Sequence, residues 1–244
     1  MLIGNAEAAH KHRTVAPPMF SAKSFLVASE DGTILKEQAG DIVRPIASIS
    51  KLMVALLASE QDLAESVVIP STRQVQSSIP RTVHTLTRKE LLTLALVRSD
   101  NFAAQILCSN IPNCVDRMNS KAHEIGMVDT QYQEPTGLDR GNVSTAHDLL
   151  KLLLVASENI TLTEISRQPN AEIATGRRII KIHNTNPLTS KFDIHLSKTG
   201  FTNPAGGCLV MVLNSEMGRK IFVLLGSKNS HTRIPDMERL VREL

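Results

Sequence analysis

Residues Ile46-Ala47-Ser48-Ile49-Ser50-Lys51-Leu52-Met53-Val54-Ala55-Leu56-Leu57-Ala58 read as a helix that is apolar on nearly every face beyond its first turn. A helix of that kind is buried in the middle of a protein. Its polar residues crowd into the first turn, where Ser48 and Lys51 are three apart and so share one face within contact distance. Leu52 to Ala58 follow the lysine, so its amine lies where water is scarce and desolvation disfavours the charged form. A neutral amine can act as a base toward Ser48, and the positive end of the helix macrodipole favours the oxyanion formed when that hydroxyl attacks a carbonyl.

Upstream of this helix, Ser24 to Ser29 and Thr33 to Gln38 are short β-type runs separated by Glu30-Asp31-Gly32, the signature of a hairpin. Downstream, helical periodicity dominates from about Thr87 to Gly126, opened by a capping box at Thr87-Arg88-Lys89-Glu90. A further helix is predicted from about Thr145 to Ala156. After Arg177 the β signal returns at Arg178 to Ile182, Asp193 to Lys198, Cys208 to Leu213 and Lys220 to Gly226, and a helix is predicted from Pro235 to Leu244. Strands at both ends and helices between them define an α+β class, an antiparallel sheet built from both chain ends with an inserted helical lobe. Residues 1–23 read as an N-terminal extension and 24–244 as one domain.

Composition narrows the function. The 244 residues are 42% hydrophobic with a net charge of +3, and they include no Trp, one Tyr and six Phe. A chain so balanced in charge and poor in stacking residues has no signature of nucleic-acid binding. No apolar run reaches the roughly 20 residues of a transmembrane helix. Met1 to Gly4 is too short for a secretory signal, although Ala6-Glu7-Ala8 has the small-x-small form of a cleavage site. His123-Glu124 opens like a metalloprotease motif, but Met127 stands where the second His belongs, and neither a metal nor another cofactor is expected. Of three cysteines, Cys108 and Cys114 are close enough to bridge in an exported protein, yet two small buried side chains is the preferred reading.

Three short motifs carry chemistry. Average composition gives roughly one Ser-x-x-Lys in a chain of this length, so Ser48 and Lys51 alone could be a helix cap and a snorkelling lysine. Ser99-Asp100-Asn101 falls between two helical segments, where a loop can aim a hydroxyl and an amide into a cleft. Ser157-Glu158-Asn159 and Ser227-Lys228-Asn229 share that pattern. Lys198-Thr199-Gly200 is sharper, since a specified tripeptide has only about a one-in-twenty chance of occurring. It ends a strand, where Gly200 would let a substrate backbone pair along the edge while Lys198 and Thr199 hold a carboxylate.

Read in order, Ser48-x-x-Lys51, Ser99-Asp100-Asn101 and Lys198-Thr199-Gly200 form the three-part signature of class A β-lactamases and penicillin-binding proteins. The surrounding stretches Arg44 to Met53, Glu134-Pro135-Thr136-Gly137-Leu138, Asn142 to Ala146, Asn184-Thr185-Asn186 and Lys198 to Asn203 resemble the low-molecular-mass D-alanyl-D-alanine carboxypeptidase and endopeptidase family. Within it, the penicillin-binding protein 7 type of endopeptidase is the most similar. The resemblance implies a β-lactamase-like transpeptidase fold, with the site where sheet and helical lobe meet. It implies acylation of Ser48 by the penultimate D-alanine carbonyl, with Lys51 as base, and Ser99 and Asn101 relaying the proton and orienting the peptide. Lys198 and Thr199 would bind the leaving-side carboxylate, and the backbone N–H groups of Ser48 and Phe201 would form the oxyanion hole. Peptidoglycan peptide would be the partner, β-lactams covalent inhibitors, and the periplasm or cell exterior the location. Carboxypeptidase activity, a β-lactamase using Glu134, and an inactive wall-binding or penicillin-sensing module are the alternatives.

Overall fold

A computed structural model describes residues 20–175 and 178–243. The N-terminal extension up to residue 19, with its cleavage-site pattern, lies outside the described residues. The first hairpin pairs β1 (Ser24–Ser29) with β2 (Ile34–Gln38), and its turn bends at Gly32, where φ is +85°. A short strand, β3 (Arg44–Pro45), leads into a 3-10 turn, Ala47–Ser50, and then α1 (Lys51–Ser59). The predicted helix thus starts as a tighter turn, in which residues i and i+3 eclipse. Every residue of α1 from Lys51 to Ala58 is buried.

The minor strands β4 (Ser66–Val68) and β5 (Thr85–Thr87) pair with each other and flank an irregular excursion. The helical stretch expected over 87–126 is divided into α2 (Arg88–Val97), α3 (Asn101–Ser109) and α4 (Cys114–Glu124). Its capping box is present: Glu90 N donates to Thr87 Oγ1, and Thr87 N to Glu90 Oε2. Then follow β6 (Val143–Ser144), α5 (Ala146–Ser157), α6 (Ile160–Ser166), and a hairpin of β7 (Asn170–Thr175) with β8 (Arg178–His183). The chain closes with β9 (Ile194–Thr202), β10 (Gly206–Leu213), β11 (Lys220–Ser227) and α7 (Arg233–Arg242).

The main sheet is antiparallel in the order β2-β1-β11-β10-β9, so the two chain ends meet where β1 pairs with β11. Its central strands are apolar on both faces because both faces are covered. Leu26, Ala28, Val210, Val212, Ile221 and Val223 face the helices around α1. Their neighbours Phe25, Val27, Leu209, Met211, Phe222 and Leu224 pack with Met237 and Leu240 of α7. β9 lies at one edge of the sheet and runs past the Ala47–Ser50 turn.

Cys108 and Cys114 are not the two unlinked buried side chains that their sequence context suggests. They are joined in a disulfide with their Cα atoms 5.4 Å apart. Asn113 takes a left-handed φ of +51°, turning the chain between α3 and α4 so that the second cysteine faces the first. Cys208 is a buried free thiol.

Candidate active site

The 3-10 turn brings Ser48 and Lys51 together: Lys51 Nζ lies 2.8 Å from Ser48 Oγ. Lys51 is fully buried, and its amine also donates to Asn101 Oδ1 at 2.8 Å and to the Thr136 carbonyl at 2.6 Å. Burial pushes its pKa down to about 7, against a weaker opposing pull from Glu134 and Asp100. A neutral amine has two N–H bonds and one lone pair. Two of its neighbours can only accept, so the contact left for the lone pair is the Ser48 hydroxyl.

The second lysine pairs with the second serine. Lys198 Nζ donates to Ser99 Oγ at 2.7 Å and to the Thr199 carbonyl at 2.9 Å. Its pKa falls well below the ordinary lysine value through burial, then through repulsion from Lys51 and Arg233. The two buried lysines thus crowd one region. Thr199 Oγ1 is itself 2.6 Å from Thr185 Oγ1.

Ser99 and Ala47 adopt left-handed backbone, with φ of +59° and +48°. Strain of about 1–3 kcal/mol at such residues persists only where surrounding structure holds it. Around Ser99, the Asp100 carboxylate caps α3 through Ala103 N and accepts from Ser77 Oγ and Ser78 N, tying the 70–84 excursion to the motif. Between them opens a cavity of about 610 Å³ lined by Gln76, Ser77, Arg98, Asn101 and Lys181 among others. Around Ala47, the buried Asn142 donates to Ser50 Oγ, which donates to the Ala47 carbonyl. Asn142 also gathers Gln133 N and Glu134 N, setting the loop that offers the Thr136 carbonyl to Lys51.

Glycines allow the close approaches. A Cβ on Gly137 would lie 1.9 Å from the Ala47 carbonyl oxygen, and one on Gly200 would lie 3.0 Å from Ser48 N. The Ser48 backbone therefore packs directly against β9, beside the exposed Phe201. Ser48, Lys51, Ser99, Asn101, Lys198, Thr199 and Gly200 all come to one region. The other Ser-x-Asn matches do not. Asn159 caps α6 from the end of α5, and Ser227 ends β11, where it bonds Asp236.

This order of motifs on this fold has counterparts. The family model for D-alanyl-D-alanine carboxypeptidases, peptidase S11, matches residues 11–229. The chain belongs to that family. Among its relatives, the D-alanyl-D-alanine endopeptidase of Pseudomonas aeruginosa is 36% identical over 239 residues, 92% of this chain and 77% of the relative. Its namesake in Escherichia coli K12 is 35% identical, with the same shares covered. Penicillin-binding protein D2 from Listeria monocytogenes, solved in its ampicillin-bound form, superimposes with a TM-score of 0.84 at 29% identity, over 93% of this chain and 98% of that one.

Several residues that shape this region carry no motif. The Thr136 carbonyl is a backbone atom and carries no sequence signal. Asn142 and Thr185 stand in stretches that resemble the family but are individually ordinary residues. Arg233, whose Nη1 donates to the Gly200 carbonyl at 2.7 Å, lies 33 positions away, and nothing local marks it.

Proposed function

We propose that this protein is a serine D,D-peptidase acting on peptidoglycan stem peptides through an ester at Ser48, and that its main reaction is D-alanyl-D-alanine endopeptidase cleavage of cross-links. The observation that carries this reading is the 2.8 Å contact between Lys51 Nζ and Ser48 Oγ, made where the amine's other partners leave only its lone pair for the hydroxyl.

Ser48 Oγ attacks the penultimate D-alanine carbonyl as its proton passes to Lys51. The N–H groups of Ser48 and Phe201 receive the oxyanion, each such donor being worth about 3 kcal/mol. The proton held by Lys51 is relayed to the leaving amine through Ser99, which is held by Lys198, and Ser99 and Asn101 orient the peptide. Lys198 and Thr199 bind the leaving-side carboxylate, while Gly200 lets the substrate backbone lie along the open edge of β9. Water then cleaves the ester, and β-lactams stall there. Residues 24–244 act as one peptidase domain. The Cys108–Cys114 disulfide supports an exported, oxidising location.

Labelling with a fluorescent penicillin, followed by mass spectrometry of the tagged peptide, tests the nucleophile: the tag belongs on Ser48, and a tag elsewhere refutes the assignment. Digestion of purified sacculi tests the reaction. Loss of cross-linked dimers supports endopeptidase action, whereas shortened pentapeptide stems alone would make the protein a carboxypeptidase.

A further inference from the structure

Arg233 opens α7, on the face of the sheet opposite α1, yet its guanidinium is buried and reaches the strand that borders the site. Its Nη1 donates to the Gly200 carbonyl at 2.7 Å, and its Nε has no partner. Among the described residues no carboxylate pairs with it. The nearest in sequence, Asp236, is occupied by Ser21 N, Ser21 Oγ, Ala22 N and Ser227 Oγ. A buried cation without a counter-ion is costly, and a structural link would be cheaper with an apolar or neutral side chain.

The carbonyl it grips shares a peptide plane with the N–H of Phe201. No cis peptide occurs among the described residues. In a trans peptide the C=O of one residue and the N–H of the next point in opposite directions. With the Gly200 carbonyl drawn toward Arg233, the Phe201 N–H is turned the other way, away from Arg233. The approach depends on Gly207, which pairs with Phe201 across β9 and β10. A Cβ there would lie 2.3 Å from the Asn229 carbonyl oxygen and 3.2 Å from Arg233 Cβ, so only a bare backbone lets the start of α7 come this close.

From this geometry we infer that Arg233 is a positioning residue for the oxyanion hole: by binding the Gly200 carbonyl it fixes the Gly200–Phe201 peptide plane and strengthens the Phe201 N–H as a donor. A charge-assisted hydrogen bond to one end of an amide polarises the other end, as in any hydrogen-bonded chain. The guanidinium acts through the backbone and does not touch substrate. The inference rests on the Ser48 ester chemistry proposed above.

The test is the carbonyl stretch of that ester, read by isotope-edited infrared difference spectroscopy on protein acylated with benzylpenicillin labelled at its β-lactam carbonyl. In Arg233→Met the stretch is expected at higher wavenumber than in the wild type. Acylation should slow about tenfold, a fraction of the 10²–10³ lost when an oxyanion donor is removed outright. Ground-state affinity for the same β-lactam should stay within about twofold, and Arg233→Lys should recover part of both the shift and the rate. Thermal melts confine the comparison to folded variants, and the lysine variant keeps the test open if the methionine variant does not fold. An unmoved stretch in the folded variants would overturn the inference, and so would a loss confined to ground-state affinity, which would make Arg233 a ligand for the substrate carboxylate. Absence of a Ser48 ester in the wild type would sink the peptidase reading itself.

Discussion

Lys51 Nζ lies 2.8 Å from Ser48 Oγ, and its other polar neighbours, Asn101 Oδ1 and the Thr136 carbonyl, can only accept. Burial lowers the amine's pKa to about 7. Protonation fills the lone pair that must take the serine proton, so acylation should be half-maximal near that pH. It should fall about tenfold for each unit below it and level off above. Stopped-flow acylation by a chromogenic β-lactam across the range checks this. Lys51→Ala should lower the rate by at least about 100-fold while the protein stays folded. A flat profile, or full labelling of that variant, would remove Lys51 from the role of base.

Gly137 has a φ of +80°, and a Cβ on it would overlap the Ala47 carbonyl group that precedes the nucleophile. Gly137→Ala therefore suffers both a disfavoured backbone and a backbone clash that no side-chain rotation relieves. The expected cost is about 3 kcal/mol in urea unfolding, with penicillin labelling of Ser48 reduced in the fraction that remains folded. A variant as stable and as readily labelled as the wild type would show that the Gly137 loop does not support the Ser48 turn.

How much of this was legible in sequence follows from the range of each interaction. The Ser48–Lys51 contact spans three residues, the Thr87–Glu90 capping box likewise, and both motifs could be read directly. The strand runs at 24–38 and 193–226 were visible because their apolar residues have a period or length that water enforces. Helix α6 and strand β7 escaped because their apolar faces are short and are covered by partners far along the chain. The contacts of Arg233 with Gly200 and of Asp100 with Ser77 depend on chain paths that no local pattern encodes. The Cys108–Cys114 bridge turned on a single left-handed residue, Asn113; asparagine is among the few non-glycine residues that adopt this conformation, but the local sequence does not fix which asparagine does so.

That bridge makes its own prediction. A disulfide closing so short a loop is worth about 2 kcal/mol by the loop-entropy relation. Replacing Cys108 and Cys114 together by Ser should lower stability by that amount, and dithiothreitol should do the same to the wild type. Native protein should resist alkylation altogether, because the remaining thiol, Cys208, is fully buried. Alkylation at Cys108 or Cys114 of native, unreduced protein would contradict the pairing.

Glu134 separates the peptidase reading from the β-lactamase one. A β-lactamase needs a carboxylate free to activate the deacylating water, and Glu134-Pro135 superficially has that form. Here the carboxylate accepts from Thr136 N at 2.7 Å, Thr136 Oγ1 at 2.6 Å, Gly137 N at 2.5 Å and Asp139 N at 3.3 Å, so its lone pairs are spent on its own loop. That loop carries the carbonyl that holds Lys51. Glu134→Ala should therefore loosen the loop, slowing acylation about tenfold and costing about 2 kcal/mol of stability, while the lifetime of whatever ester forms stays near the wild-type value. A water-activating carboxylate would give the reverse pattern, with normal acylation and a stalled ester. Measuring both half-reactions in one variant distinguishes the two, and a selectively stalled ester would return Glu134 to the deacylation step.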